Sequence, residues 1–425
     1  MERHTRQETQ RAMHTHNTTK TLRTRMAALG ATSILLLAAC TNAGGAPGGS
    51  DADSGDLEAI KLRVPTLYGP DHFQTKAMAA YADAVKEASD GSITMEFFYG
   101  DSLVKPADTI NALRDGVVDI ALSVPVYSPS DFPIDQWTTR LAFLQTTDPV
   151  VSSLQATSAI LDWSINDPDQ MAEYDKLGIV PLIPRFYGHE SYHLLCKTPV
   201  TDLASAQGQR ARVGGQVWQD EIESFGMVGV SLAGAEIYEG FQRGVIDCYA
   251  GSAPDMVGSS LDEVGKHYTT VGMSGVSSLG LMMSQTTWDR LPLEAKQILW
   301  DESPVFLTTW HAGYIDIKHD WFVEDRGLTF HEADDDLLDA LDSHQQRQLA
   351  EAIDTAPATV SDPADAIERF EAAYDTWLPV IKDDLGYDTG YTTWVEWAQS
   401  TDGDVDLAAW ADHLTEDILA PHRPK

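Results

Sequence analysis

Few residues of this 425-residue chain have chemistry to offer. Cys40, Cys196 and Cys248 supply sulfur for acylation or cross-linking. Arg140, Arg185 and Arg212 are the candidate cations for a buried anion. A planar guanidinium holds a carboxylate through two parallel N–H donors and keeps its charge when dehydrated. His72 follows a first predicted strand and is a candidate donor to a ligand. Tyr68, Tyr127, Trp218, Tyr238 and Tyr249 fall near predicted strand ends, where aromatic rings could wall a pocket. Taken singly, residues of these types more often belong to the core or the surface than to a site.

Familiar catalytic constellations are missing. There is no G-x-S-x-G elbow, no G-x-G pair to begin a nucleotide loop and no paired C-x-x-C. Asp402-Gly-Asp-Val-Asp406 has the alternation of a calcium loop. It fails because Leu407 stands where the turn glycine is needed and His413 where the bidentate acid belongs. The many Asp/Glu pairs read as a solvated face. No catalytic residue, cofactor or metal is therefore assigned, and a non-enzyme is expected.

The elements that must position these residues alternate. Leu62–Leu67, Ile93–Phe98 and Val118–Ser123 read as strands, with helices over Gln74–Ser89 and Thr109–Asp115 between them. That order predicts a parallel sheet. A second set follows: strands 178–183, 192–196, 210–213 and 245–249, and helices 217–225 and 235–242. A long helix over 293–324 is predicted, interrupted at Pro304, followed by helices 333–354 and 364–378. Two α/β lobes facing each other make a cleft at the carboxyl ends of their strands, where ligands bind. Cys196 and Cys248 are left as an even pair. They are either a disulfide or two small buried strand residues.

The formal net charge is −36. The first 39 residues hold six Lys/Arg and two Asp/Glu, so the remainder is more acidic still. Such a surface repels nucleic acid and gives an anionic ligand no long-range steering. Any anion site must be local. Lys20, Arg23 and Arg25 precede an apolar stretch too short to span a bilayer, ending Leu37-Ala38-Ala39-Cys40. This resembles the bacterial lipobox, in which the cysteine is lipidated and becomes the first residue after cleavage. Residues 1–40 are accordingly expected to be a lipoprotein signal peptide, with Met13 or Met26 as alternative starts. Residues 41–58, rich in Gly, Ala, Ser and Asp, form a flexible linker. The expected location is the outer face of the cell membrane.

Several segments are similar to receptors of tripartite ATP-independent periplasmic (TRAP) transporters. Phe97-Phe-Tyr-Gly-Asp-Ser-Leu103 and Gly116-Val-Val-Asp-Ile120 fit the first lobe. Asp202-Leu to Arg212-Val213 resembles a D-L-x-G-x-x-x-R-V segment, and Glu236-Ile-Tyr-Glu-Gly-Phe-Gln-Arg-Gly-Val-Ile-Asp247 an E-x-Y-x-A-L-x-x-G-V-x-D segment. Trp288-Asp-Arg-Leu-Pro292 before a long helix also fits. The resemblance implies an α/β, two-lobed, periplasmic-binding-protein-like receptor with a long connecting helix, here with a helical C-terminal extension. Lobe 1 would be residues 59–184 with 274–330 returning to it. Lobe 2 would be 185–273, and the helical C-terminal region 331–425.

It implies an organic acid clamped by Arg212 and passed to the small and large membrane subunits of a permease. His189 and Glu190 stand where many members carry a second arginine, and Gly251-Ser252 where an asparagine often lines the pocket. Glu190 there would favour an amine-bearing acid, a zwitterion or a polyol acid. Ser252 joins the candidate lining. An ATP-driven importer's receptor, or a lipoprotein hydrolase, are the alternative readings.

Overall fold

A computed structural model describes residues 57–188, 191–232 and 236–425. The signal, Cys40, most of the linker, and His189 and Glu190 lie outside the described residues. Among the described residues no helix is long and apolar enough to cross a membrane.

Eleven strands are described: β1 (Ile60–Pro65), β2 (Ile93–Phe98), β3 (Ile120–Ser123), β4 (Ile179–Phe186), β5 (Tyr192–Cys196), β6 (Arg210–Val213), β7 (Val228–Ser231), β8 (Cys248–Gly251), β9 (His267–Met273), β10 (Leu279–Ser284) and β11 (Thr329–Glu332). β1 pairs parallel with β2, and β10 lies antiparallel between β3 and β4. The second sheet runs β11-β9-β5-β8-β6-β7. The expected parallel sheets are thus mixed. β10 and β9 belong to the stretch that carries the chain back between the halves, and a returning strand enters antiparallel.

The halves repeat one local device. In the first, Asp119 of Gly-Val-Val-Asp accepts Arg63 N and Nε, both at 2.8 Å, and its own N–H bonds Arg63 O at 3.0 Å. In the second, Asp247 of Gly-Val-Ile-Asp accepts Arg210 N at 3.1 Å and Nε at 2.8 Å, and its N–H bonds Arg210 O at 2.8 Å. Each aspartate follows a helix stopped by a glycine at positive φ, Gly116 (66°) or Gly244 (74°). The pairs join β1 to β3 and β6 to the start of β8. In the second half this fixes where Arg212, two residues on from Arg210, emerges.

Two crossings link the halves. Gly188 N bonds Val276 O at 2.8 Å, so the outgoing and returning segments run together. The interrupted helix is two helices, Leu293–Asp301 and Ser303–Val323, with Pro304 in the first turn of the second. There its missing N–H costs nothing. The longer one packs against helix Phe73–Ala88 of the first half and against helix Ala253–Gly258 of the second.

The C-terminal region does not stand apart. β11 extends the second sheet alongside β9, although the stretch through 330 was expected to return to the first lobe. Helix Asp335–Ala350 packs on helix Gln216–Ser224. Beyond it, indole N–H groups tie the tail to the body. Trp137 Nε1 bonds Ala352 O at 2.7 Å, Trp163 Nε1 bonds Ala366 O at 3.2 Å, and Trp410 Nε1 bonds Ser158 Oγ at 3.0 Å. A buried indole needs such a partner, and each of these bonds also holds a large apolar ring in the core.

Candidate functional site

Arg212 ends β6 beside Tyr249 of β8, its parallel register partner. Its guanidinium carbon lies 5.6 Å from the centre of the Tyr249 ring. Gly214 and Gly215 follow at once. A Cβ at Gly214 would meet Arg212 Nη1 at 3.2 Å, and one at Gly215 would meet Trp218 at 3.2 Å. Missing side chains here let the guanidinium and the indole lie against backbone. The Arg212 residue is only 6% exposed. Among the described residues its hydrogen bond is a long one, from Nε to Leu232 O at 3.4 Å, and no carboxylate reaches ion-pair distance. Burial opposes the charge, but a guanidinium is too basic to give up its proton, and the negative charge of Asp255 favours the charged form further. A buried, charged, under-bonded guanidinium is costly unless an anion arrives to meet it.

Around it stand tyrosines from both halves. Tyr127 comes from the loop after β3 and Tyr68 from the loop after β1. Tyr192 and Tyr249 come from the second sheet, 5% and 3% exposed. Burial pushes the phenols of Tyr68, Tyr192 and Tyr249 up, and Asp255 pushes them further, while Arg212 pulls them down. Tyr127, at the rim and 39% exposed, is raised by partial desolvation against the pull of Arg212. All four are neutral donors at physiological pH. Tyr68 stacks on His72 at 3.8 Å, and His72 Nδ1 accepts the N–H of Gln74 as the cap of helix Phe73–Ala88. His72 Nε2 lies close to Gly258, where a Cβ would sit 2.9 Å away. His72 thus positions Tyr68 and meets the second half.

Other candidates are placed elsewhere. Arg185 is fully buried, 3.1 Å from Asp135 and bonded to Thr138 Oγ1 at 2.5 Å and Ser277 O at 3.0 Å. It is a core ion pair, because β4, an edge strand buried over nearly its whole length, turns it inward. Tyr238 lies on the outside and bonds Glu263 at 2.7 Å. Trp218 is buried, but its N–H is spent on Ser274 O at 2.7 Å, and its ring stacks on Tyr192 at 4.8 Å. It backs the wall instead of forming it. Arg140, 3.7 Å from Asp220 across the halves, borders a separate hollow of about 380 Å³ lined also by Val126, Gln136 and Gln216. Ser252 caps helix Ala253–Gly258 and bonds Asp255 Oδ2 at 3.0 Å.

Reasoning from sequence missed Tyr192, Tyr314 of the long helix, and Asp255. The signal for Asp255 was present: Ser252-Ala-Pro-Asp255 is a capping pattern directly after a strand. Cys196 and Cys248, left open above, are register partners on β5 and β8 and are disulfide-bonded.

Comparisons with known proteins converge. The model of the bacterial extracellular solute-binding proteins, family 7, matches residues 64–311. A solute-binding protein of Albidiferax ferrireducens is 26% identical over 234 residues, 53% of this chain and just under two thirds, 65%, of that relative. The C4-dicarboxylate-binding periplasmic protein of Rhodobacter capsulatus is 22% identical over 244 residues, 56% of this chain and 69% of its own. Among solved structures, a marine metagenome TRAP solute-binding protein specific for pyroglutamate superposes with a TM-score of 0.63 at 17% identity, covering 75% of this chain and 100% of the other. Another, specific for aromatic acid ligands, gives 0.64 at 19%, covering 75% and 99%.

Proposed function

The chain belongs to the bacterial extracellular solute-binding proteins of family 7, and from that premise we propose that it is an extracytoplasmic receptor capturing a small organic acid at Arg212. The observation that carries this reading is the environment of Arg212. It is a guanidinium at a strand's carboxyl edge, 6% exposed, without a carboxylate partner among the described residues, and ringed by tyrosines from both halves. An incoming carboxylate supplies the missing counter-charge and accepts bidentate donation, while phenol donors fix its orientation. Hinging at the paired crossings would let the halves part and close over it. The captured acid is then handed to the small and large membrane subunits of a TRAP permease.

The protein is not an enzyme in this reading. Cys40 is lipidated and holds it to the membrane by the linker. Tyr68, Tyr127 and Tyr249 line the ligand with Tyr192, with His72 and Ser252 setting the geometry behind them. Glu190, which lies outside the described residues, is a further ligand residue in this reading.

The test is a thermal-shift screen of the chain carrying Cys40→Ala with organic acids. At least one acid should raise Tm, and Arg212→Ala should abolish that shift while the unliganded protein melts within a few degrees of its parent. An Arg212→Ala protein that binds the acid as tightly as its parent would refute the assignment.

A further inference from the structure

The C-terminal region is bonded to both halves, and it changes sides within a few residues. Its first part is fixed to the second half. β11 pairs with β9 along Thr329–Glu332. Asp334 N bonds Thr201 O at 2.7 Å, and Asp336 Oδ2 accepts Leu203 N at 3.3 Å. Helix Asp335–Ala350 then lies on helix Gln216–Ser224, where Gln345 Nε2 bonds Glu221 Oε1 at 3.0 Å. From Ala352 onward the anchors are in the first half. Ala352 O accepts the Trp137 indole N–H at 2.7 Å. Ser361 bonds Asp169 through its N–H at 2.6 Å and its hydroxyl at 2.9 Å. Trp163 Nε1 bonds Ala366 O at 3.2 Å, and Trp377 Nε1 bonds Asp162 Oδ2 at 3.0 Å.

The change-over has no slack. Residues 346–351 alone separate the bond at Gln345 from the bond at Ala352, and the helix runs to Ala350. A helix cannot lengthen without breaking its own hydrogen bonds. The halves therefore cannot part at this edge unless Trp137 gives up Ala352 or the helix lifts from its bed. The halves already touch beside it. Arg140, which ends helix Pro133–Thr139, lies 3.7 Å from Asp220 of helix Gln216–Ser224. That second helix begins directly after Gly214-Gly215 and carries Trp218, which backs the wall around Arg212. The restraint thus acts on the element closest to the guanidinium.

We propose that the C-terminal region is a strap that limits how far the halves part, so that the receptor without ligand rests largely closed. The inference rests on the hinged-receptor reading and adds a restraint to it. An arriving acid then spends less of its binding energy on closure.

Opening is read without ligand, in the full chain carrying Cys40→Ala. Spin labels at Ala107→Cys and Glu239→Cys, exposed sites in the two halves, report the distance by pulsed double resonance. Cys196 and Cys248 are bonded to each other and take no label. Trp137→Phe keeps a ring and removes the indole N–H. A slack form adds to it about twelve Gly/Ser residues between Ala356 and Pro357. A control places the same insertion between Gly390 and Tyr391, within the part anchored to the first half. The parent should give mostly the short distance. Trp137→Phe should raise the long-distance fraction about three- to tenfold. The slack form should raise it further, and the control should match the parent.

The proposal falls if the slack form keeps the parent's distances, if the control opens as much as the slack form, or if the parent is already mostly open. Should the slack form not fold, Trp137→Phe decides alone, and unchanged distances sink the strap. Unchanged distances, with the acid-dependent Tm shift still lost in Arg212→Ala, would remove the strap and leave the receptor. Opening of the slack form, with binding retained in Arg212→Ala, would remove the Arg212 assignment and leave the strap.

Discussion

Two arginines among the described residues are buried, and they are buried differently. Arg185 lies in the first half with Asp135 at 3.1 Å and oxygen partners on Thr138 and Ser277. Arg212 lies in the second half with one long bond to a carbonyl, a tyrosine ring beneath it, and tyrosines from the other half around it. The first has its counter-charge built into the same fold, so its chemistry is exhausted by stability. The second has no carboxylate partner among the described residues, and its remaining donors are the ones proposed to meet an incoming acid. Burial alone therefore says little about which arginine is functional; how fully its donors are spent says much more.

The comparison breaks most sharply at Asp135. Removing it as Asp135→Ala strands the Arg185 charge in the core and should cost about 3–5 kcal/mol in urea denaturation. Arg212→Ala, tested without ligand, should cost less than about 1 kcal/mol, since that guanidinium has little to lose. Replacing the pair together as Asp135→Leu with Arg185→Met should recover most of the loss. If Asp135→Ala and Arg212→Ala prove equally costly in the unliganded protein, the two arginines play the same role and the distinction is wrong.

A smaller effect is expected from the cross-link behind Arg212. The Cys196–Cys248 bridge closes a separation of 52 residues and joins β5 to β8, whose other neighbour is β6. Loop-closure entropy puts its contribution at about 2–4 kcal/mol. The double variant Cys196→Ala, Cys248→Ala should lose that in denaturant stability while ligand affinity changes by no more than about twofold, as befits separated sites. An affinity loss beyond about tenfold would mean that the bridge positions Tyr249, and hence that Arg212 depends on scaffold strength as Arg185 does.

What was legible in the sequence follows the physics of each segment. β2 and β5 keep their expected bounds because short, largely apolar runs between turn residues have few alternatives, and β6, Arg-Ala-Arg-Val, keeps them by alternation between Gln209 and Gly214. Helix Val151–Asn166 escaped notice because it is buried on nearly every side, with Ser152, Ser153, Gln155, Thr157 and Ser158 all inside, so no polar face sets a period. β10, Leu-Gly-Leu-Met-Met-Ser, lacks the β-branched residues that mark strands. Arg212 was visible through the segment it shares with a known family. Tyr192 was not, and Asp255 was legible only as part of a helix cap, because nearness to Arg212 is a property of two chain regions meeting, which no single window contains. Arg185 and Tyr238 had the right residue types, and packing sent one into the core and the other to the surface.

Glu221 offers the third case of a buried charge, a carboxylate met by neutral donors only. Its Oε1 accepts Ser274 N at 3.0 Å, Ser274 Oγ at 2.7 Å and Gln345 Nε2 at 3.0 Å, joining the second half, the returning crossing and the C-terminal region. Burial pushes its carboxyl up to about 7, from an ordinary value of 4.5, and these donors offset only part of that. A carboxyl raised in this way favours the fold while it is protonated. That contribution is complete below about pH 4 and disappears as pH climbs through 7. Glu221→Gln keeps the shape and an acceptor without the charge. Its Tm should match the parent near pH 5 and exceed it near pH 8, by the equivalent of about 1–2 kcal/mol. A parent and variant whose Tm difference is the same at both pH values would show that Glu221 stays ionised in the fold, its donors compensating burial as fully as Asp135 does for Arg185.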